Sequence, residues 1–199
     1  MILPVLRFLA EQLNLYISQV QPVNDELVNP VILQNIARLE GDDLRNANNL
    51  MLTLVNLSEE TTMKNNPGYI KRRENEVEYK NPPVDLNLYL LFTACMGNYE
   101  NALVYLSYVI TFFQGKNIFT RQNSSTVIEG LPDDFHIILD MYPLTLELSN
   151  YLWSTLGGKQ HPFVCYKLRI IRMERESTIE SRGIITEVKI TGDPAKSVS

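Results

Sequence analysis

VDLNLYLLFTACMGNYENALVYLSYVITFFQG, residues 84–115, decides the fold. Its first part alternates, with Val84, Leu86 and Leu88 set against Asp85, Asn87 and Tyr89, and then runs continuously apolar to Met96. Alternation marks a strand with one face in the core, and an unbroken apolar run marks one covered on both faces. The spacing predicts a central strand over 84–96. From Asn98 the period becomes helical and Gly115 stops it. This helix has two apolar stripes: Tyr99, Ala102, Leu103, Leu106, Ile110 and Phe113 form one, and Val104, Tyr105, Tyr108 and Phe112 the other. A helix apolar nearly all round must be covered on both sides. The stripe of Val104, Tyr105, Tyr108 and Phe112 is therefore a candidate subunit boundary, the alternative being a helix sandwiched inside one domain.

Working outward, residues 1–20 place Val5, Leu6, Leu9, Leu13, Tyr16, Ile17 and Val20 at helical spacing, with Arg7, Glu11, Gln12, Asn14 and Ser18 opposite. That is an amphipathic helix ending before Pro22. VILQNIARL (31–39) and LMLTLVNL (50–57) read as strands separated by turn-formers. Residues 58–80 are polar, with Pro67, Gly68 and five acids against five bases, and read as a long exposed loop or irregular hairpin. FHIILDMY (135–142) reads as a strand, TLELSNYLWSTLGG as a short helix closed by glycine, and HPFVCYKLRIIRM (161–173) as a strand with Val164, Tyr166, Leu168 and Ile170 on its apolar face. This order predicts an α+β domain over 1–173, with a mixed, mainly antiparallel sheet flanked by helices on one face. Residues 174–199 read as a C-terminal arm, in which GIITEVKI (183–190) could form an added strand.

Composition bounds the function. In 199 residues there are 18 Lys and Arg against 23 Asp and Glu, a net charge of -5, which argues against a general affinity for nucleic acid. No run of apolar residues is long enough to span a bilayer, so direct membrane insertion is not expected, and the apolar start lacks the basic region of a signal peptide. Cys95 and Cys165 lie inside apolar segments and read as reduced core thiols. At 199 residues a single core can bury roughly 70% of the unfolded chain's surface.

Motifs that would carry chemistry are weak. His136 and His161 have no close His, Cys or acidic partner at a ligand spacing, so no metal is expected. The adjacent acids Asp42 and Asp43, Glu59 and Glu60, and Asp133 and Asp134 point apart on regular structure. Gly157, Gly158 and Lys159 lack the spacing of a phosphate loop and follow a helix rather than a strand. Cys165 and His161, four residues apart on an extended chain, are separated by about 13 Å. No catalytic residue, cofactor or metal is assigned. The remaining features are those of an assembly component: the two-striped helix, the loop with Lys71, Arg72 and Arg73 as candidate register-setting contacts, and the arm with Ile184, Ile185, Val188 and Ile190 as a candidate strand for a neighbour.

The stretch from Lys80 to Thr120 resembles the tail-terminator or cap family of contractile injection systems, the phage-tail-like particles of the antifeeding-prophage and Photorhabdus virulence-cassette type. LTLELSNYLWSTLGGKQHPFVCYKLRIIRM, residues 144–173, is similar to that family's ending, and the first helix with LMLTLVNLSEETTMKNNPGY to its opening. The resemblance covers residues 1–173. It implies a non-enzymatic structural protein at the distal end of tube and sheath, a homohexameric ring that stacks on the last inner-tube ring and engages the last sheath ring. It further implies assembly in the bacterial cytoplasm and incorporation into a contractile particle, released or membrane-anchored. Some members continue beyond this domain, so the resemblance leaves a non-ring adaptor between the tail end and another cap or anchoring component as the alternative.

Overall fold

The computed structural model describes residues 2–21, 29–39, 47–60, 70–73, 76–79, 84–124, 130–131, 135–157, 159–173 and 180–183. In chain order these form helix α1 (Ile2–Val20), strand β1 (Val31–Leu33), a single 3-10 turn (Ile36–Arg38), β2 (Asn49–Glu59), β3 (Ile70–Arg73), β4 (Glu76–Tyr79) and β5 (Val84–Cys95). Helix α2 (Tyr99–Gly115), β6 (Ile118–Thr120), β7 (His136–Met141), α3 (Leu146–Thr155), β8 (Phe163–Met173) and β9 (Glu180–Gly183) follow. The fold is α+β. The chain divides into two compact units, residues 1–61 with 84–173, and residues 62–83 with 174–199.

The larger unit is a six-stranded mixed sheet in the order β1-β2-β5-β8-β7-β6. Only β1 and β2 run parallel; β2 with β5, β5 with β8, β8 with β7 and β7 with β6 are antiparallel. As the sequence predicts, β5 is central, and from Leu90 to Cys95 every residue is buried. Leu88, Leu90, Phe92 and Ala94 point to one face, where Leu50, Leu52, Val164, Tyr166 and Leu168 join them beneath α1 and α2. Helix α1 contributes Val5, Phe8, Leu9, Leu13 and Ile17 to this core. Full burial stabilises each such side chain by about 1.5–3 kcal/mol, which outweighs the modest helix propensity of the β-branched residues in α2.

The opposite face of the same strands carries Met51 and Cys95, and Trp153 of α3 packs on them with Ile36. Helices thus cover both faces, correcting the expectation of one: α3 is short, and its single inward aromatic seals only one end of the second face. Residues 31–39 are likewise not one strand. The ladder ends at Leu33, and Asn35 then caps the 3-10 turn by accepting a bond from the Ala37 N–H at 3.1 Å. Strand β6 was not expected, being only three residues long.

In the smaller unit, β3, β4 and β9 form an antiparallel sheet in that order. The polar stretch 58–80 therefore contains the end of β2 and a hairpin, with Lys71 opposite Glu78, Arg72 opposite Val77 and Arg73 opposite Glu76 in register. Strand β9 pairs with β4 of the same chain, Glu76 opposite Gly183 and Tyr79 opposite Glu180. Residues 184–190, the rest of the octet read as a possible strand, lie outside the described residues.

Candidate assembly surface

Helix α2 starts where Asn98 accepts a bond from the Glu100 N–H at 2.8 Å, and it ends as the Lys116 N–H bonds the Phe112 carbonyl. Its inward sector is Ala102, Tyr105, Val109 and Phe113. This sector takes members from both stripes read in the sequence, so the division between inside and outside runs differently. Tyr105 is 2% exposed, and its hydroxyl accepts a bond from Gln21 Nε2 at 2.6 Å. Tyr108 and Phe112 are half-buried on the shoulder; Phe112 packs 5.2 Å from Tyr16 and Tyr108 5.8 Å from Tyr105. Val104 is exposed. On the other shoulder Tyr99, Leu103 and Ile110 form an exposed apolar line, successive members of which lie one or two helical turns apart. Of the four residues Val104, Tyr105, Tyr108 and Phe112, the fold thus brings one to open surface, two to the margin and one into the core.

The basic residues Lys71, Arg72 and Arg73 make up most of β3, and Ile184, Ile185, Val188 and Ile190 lie outside the described residues. A second exposed apolar group, not singled out in the sequence, surrounds α3: Leu146, Leu148 and Tyr151 on the helix and Met141 and Tyr142 just before it. Its apolar residues could be read from the sequence, but that Ser149 and Trp153 are the buried residues of the helix is set by the fold.

The chemistry-bearing side chains are dispersed. Burial pushes the Cys95 and Cys165 thiols up to about 11, so both are neutral thiols at pH 7. The Tyr166 hydroxyl, buried in the helix-covered core, is likewise pushed up to about 12. His161 packs 6.0 Å from Trp153, and its pKa is lowered by burial first and by the charge of Lys159 second. His136 is exposed at the start of β7. Lys116 lies 5.0 Å over the Phe119 ring, with its pKa lowered by partial burial. Arg169 and Asp140 form an ion pair between β8 and β7. Gly157, with φ of +110°, closes α3. Among the described residues no three His, Cys, Asp or Glu side chains group to hold a metal, and no helix is long and apolar enough to cross a membrane.

Residues 4–187 match the family of the Pvc16 N-terminal domain. Among solved structures, the fold is similar to the sheath/tube terminator of an extracellular contractile injection system, PVC, in its extended state. The TM-score is 0.66 at 14% identity, over 100% of this chain and 65% of that one. It is also similar to the tube-terminating cap of the anti-feeding prophage, with a TM-score of 0.54 at 12% identity, over 73% of this chain and 50% of that one. The chain thus spans between half and two thirds of these neighbours' lengths. No curated protein matches it.

Proposed function

Because the chain belongs to the family of the Pvc16 N-terminal domain, we propose that it is a structural cap that ends the tube of a contractile injection system. The observation that carries this reading is the agreement of two independent likenesses, the family match over residues 4–187 and the superposition of the whole chain on a sheath/tube terminator. A tube is an open head-to-tail assembly with an exposed growing face, and a closed ring that covers the face without reproducing it stops growth. The cap forms a homohexameric ring, stacks on the last tube ring and engages the last sheath ring. It works by contact alone, without catalysis, and it is built in the cytoplasm before joining the particle.

The outward flank of α2 with Val104 lies at the boundary between subunits, supported by its exposed apolar residues. Tyr108 and Phe112 form the margin of that contact. Lys71, Arg72 and Arg73 set register against the tube, and Ile184, Ile185, Val188 and Ile190 of the arm contact the sheath.

Native mass spectrometry and negative-stain microscopy of the purified chain mixed with tube fragments test the reading. Rings of six on tube ends are expected, and their loss on Val104→Glu in a folded chain marks the boundary. A single copy per tube end points instead to a non-ring adaptor, and no binding to tube ends overturns the proposal.

A further inference from the structure

An edge strand offers unpaired N–H and C=O groups to any extended chain that meets it. In the six-stranded sheet the outermost strands are β1 and β6. The Asn117 carbonyl accepts a bond from the Leu139 N–H of β7 at 2.9 Å, so by alternation Phe119 faces β7 and the backbone groups of Ile118 and Thr120 face outward. Two of these outward groups, the Thr120 N–H and the Ile118 carbonyl, are met by one side chain. The Thr120 N–H donates to Asn123 Oδ1 at 2.9 Å, and Asn123 Nδ2 donates to the Ile118 carbonyl at 2.9 Å. Lys116 Nζ holds the same turn by donating to the Asn123 carbonyl at 2.7 Å.

The far edge repeats the device. Pro30 and Gln34 use their backbone groups on β2, which leaves those of Val31 turned away from it. The Val31 N–H donates to Asn14 Oδ1 at 2.8 Å, and Asn14 Nδ2 donates to the Val31 carbonyl at 3.0 Å. A carboxamide has the donor and acceptor of a peptide group. In each case it occupies the place that the backbone of an added strand would take.

We propose that Asn14 and Asn123 are edge guards that keep the six-stranded sheet from adding a strand of a second copy of this chain. Of the two, Asn123 is the removable one, since it sits in an exposed turn, whereas Asn14 is built into α1. With Asn123 gone, two β6 edges pair antiparallel about Phe119, with Ile118 of one copy opposite Thr120 of the other. The inference stands whether or not the chain caps a tube, because it concerns which contacts are closed to it.

The test uses the full chain carrying Asn123→Ala together with Ile118→Cys, mixed with chains carrying Asn123→Ala and Thr120→Cys, under mild oxidation. Several-fold more disulfide-linked dimer than from the same cysteines with Asn123 retained is expected. Equal yields, or no dimer in either mixture, overturn the proposal. Asn123→Asp keeps the acceptor for Thr120 and puts a charge on the edge, so its chains should stay unlinked; linkage equal to that of the alanine variant counts against the guard. If Asn123→Ala fails to fold, hydrogen exchange on the unsubstituted chain decides: a Thr120 amide protected like those of the ladder is expected, and one exchanging freely overturns the proposal.

Discussion

The two faces of the six-stranded sheet are filled by different means. On the face under α1 and α2, Phe92 lies 5.4 Å from Phe113 and 5.8 Å from Tyr166, which are themselves 4.8 Å apart, and the aliphatic residues around them are almost wholly buried. On the other face the buried group is small, Ile36, Met51, Cys95 and Trp153, and is rimmed by partly buried apolar residues such as Ile32, Leu156 and Phe163. Thr93 Oγ1, Trp153 Nε1 and His161 Nε2 are buried there without a hydrogen-bond partner. The first face therefore holds most of the stability, and the second carries unmet polar cost that substitutions could remove.

The largest test of this contrast is Phe92→Ala, which should cost about 3–5 kcal/mol in denaturant unfolding; a loss below about 1 kcal/mol would mean that the aromatic cluster is not the keystone. Next is Asn14→Ala, which removes both bonds to Val31 and should cost about 1–2 kcal/mol. On the other face the sign reverses. Thr93 is fully buried, so Thr93→Val keeps the shape, removes an unbonded hydroxyl and should stabilise by about 1 kcal/mol. A destabilised valine variant would show that the hydroxyl is satisfied after all.

The smallest effect is a pH dependence. The pKa of His161 is lowered from 6.5 in the folded chain, so below that value the unfolded state binds more protons and gains relative to the folded one. The contribution of neutral His161 is complete above pH 6.5 and is lost as the pH falls through its lowered folded value. His161→Phe should flatten that part of the stability curve, and an unchanged curve would assign the dependence to other groups.

The strong periodicities were legible in the sequence. Strand β5, α1, α2 and β8 could be read because each repeats its pattern over many residues, and each is held by packing that the pattern reports. What was not legible depends on distant partners. Tyr105 read as part of a second apolar stripe at a subunit boundary, whereas it lies in the chain's own core, where its hydroxyl accepts a bond from Gln21, 84 residues away in the chain. Strand β6 has too few residues for a period, and β1 is cut short by the local bond of Asn35. The hairpin of β3 and β4 was one of the two readings of the polar stretch 58–80, but a composition without alternation gave no register for it. The guards Asn14 and Asn123 are ordinary polar residues until tertiary structure sets one beside β1 and turn geometry sets the other beside β6.

For function, the most direct measurement is electron microscopy of native particles made with and without this gene, scoring tube and sheath lengths and the state of the distal end. The cap reading predicts tubes of uncontrolled length with open ends when the gene is removed. Particles of normal, uniform length with closed ends would contradict it and assign termination to another protein.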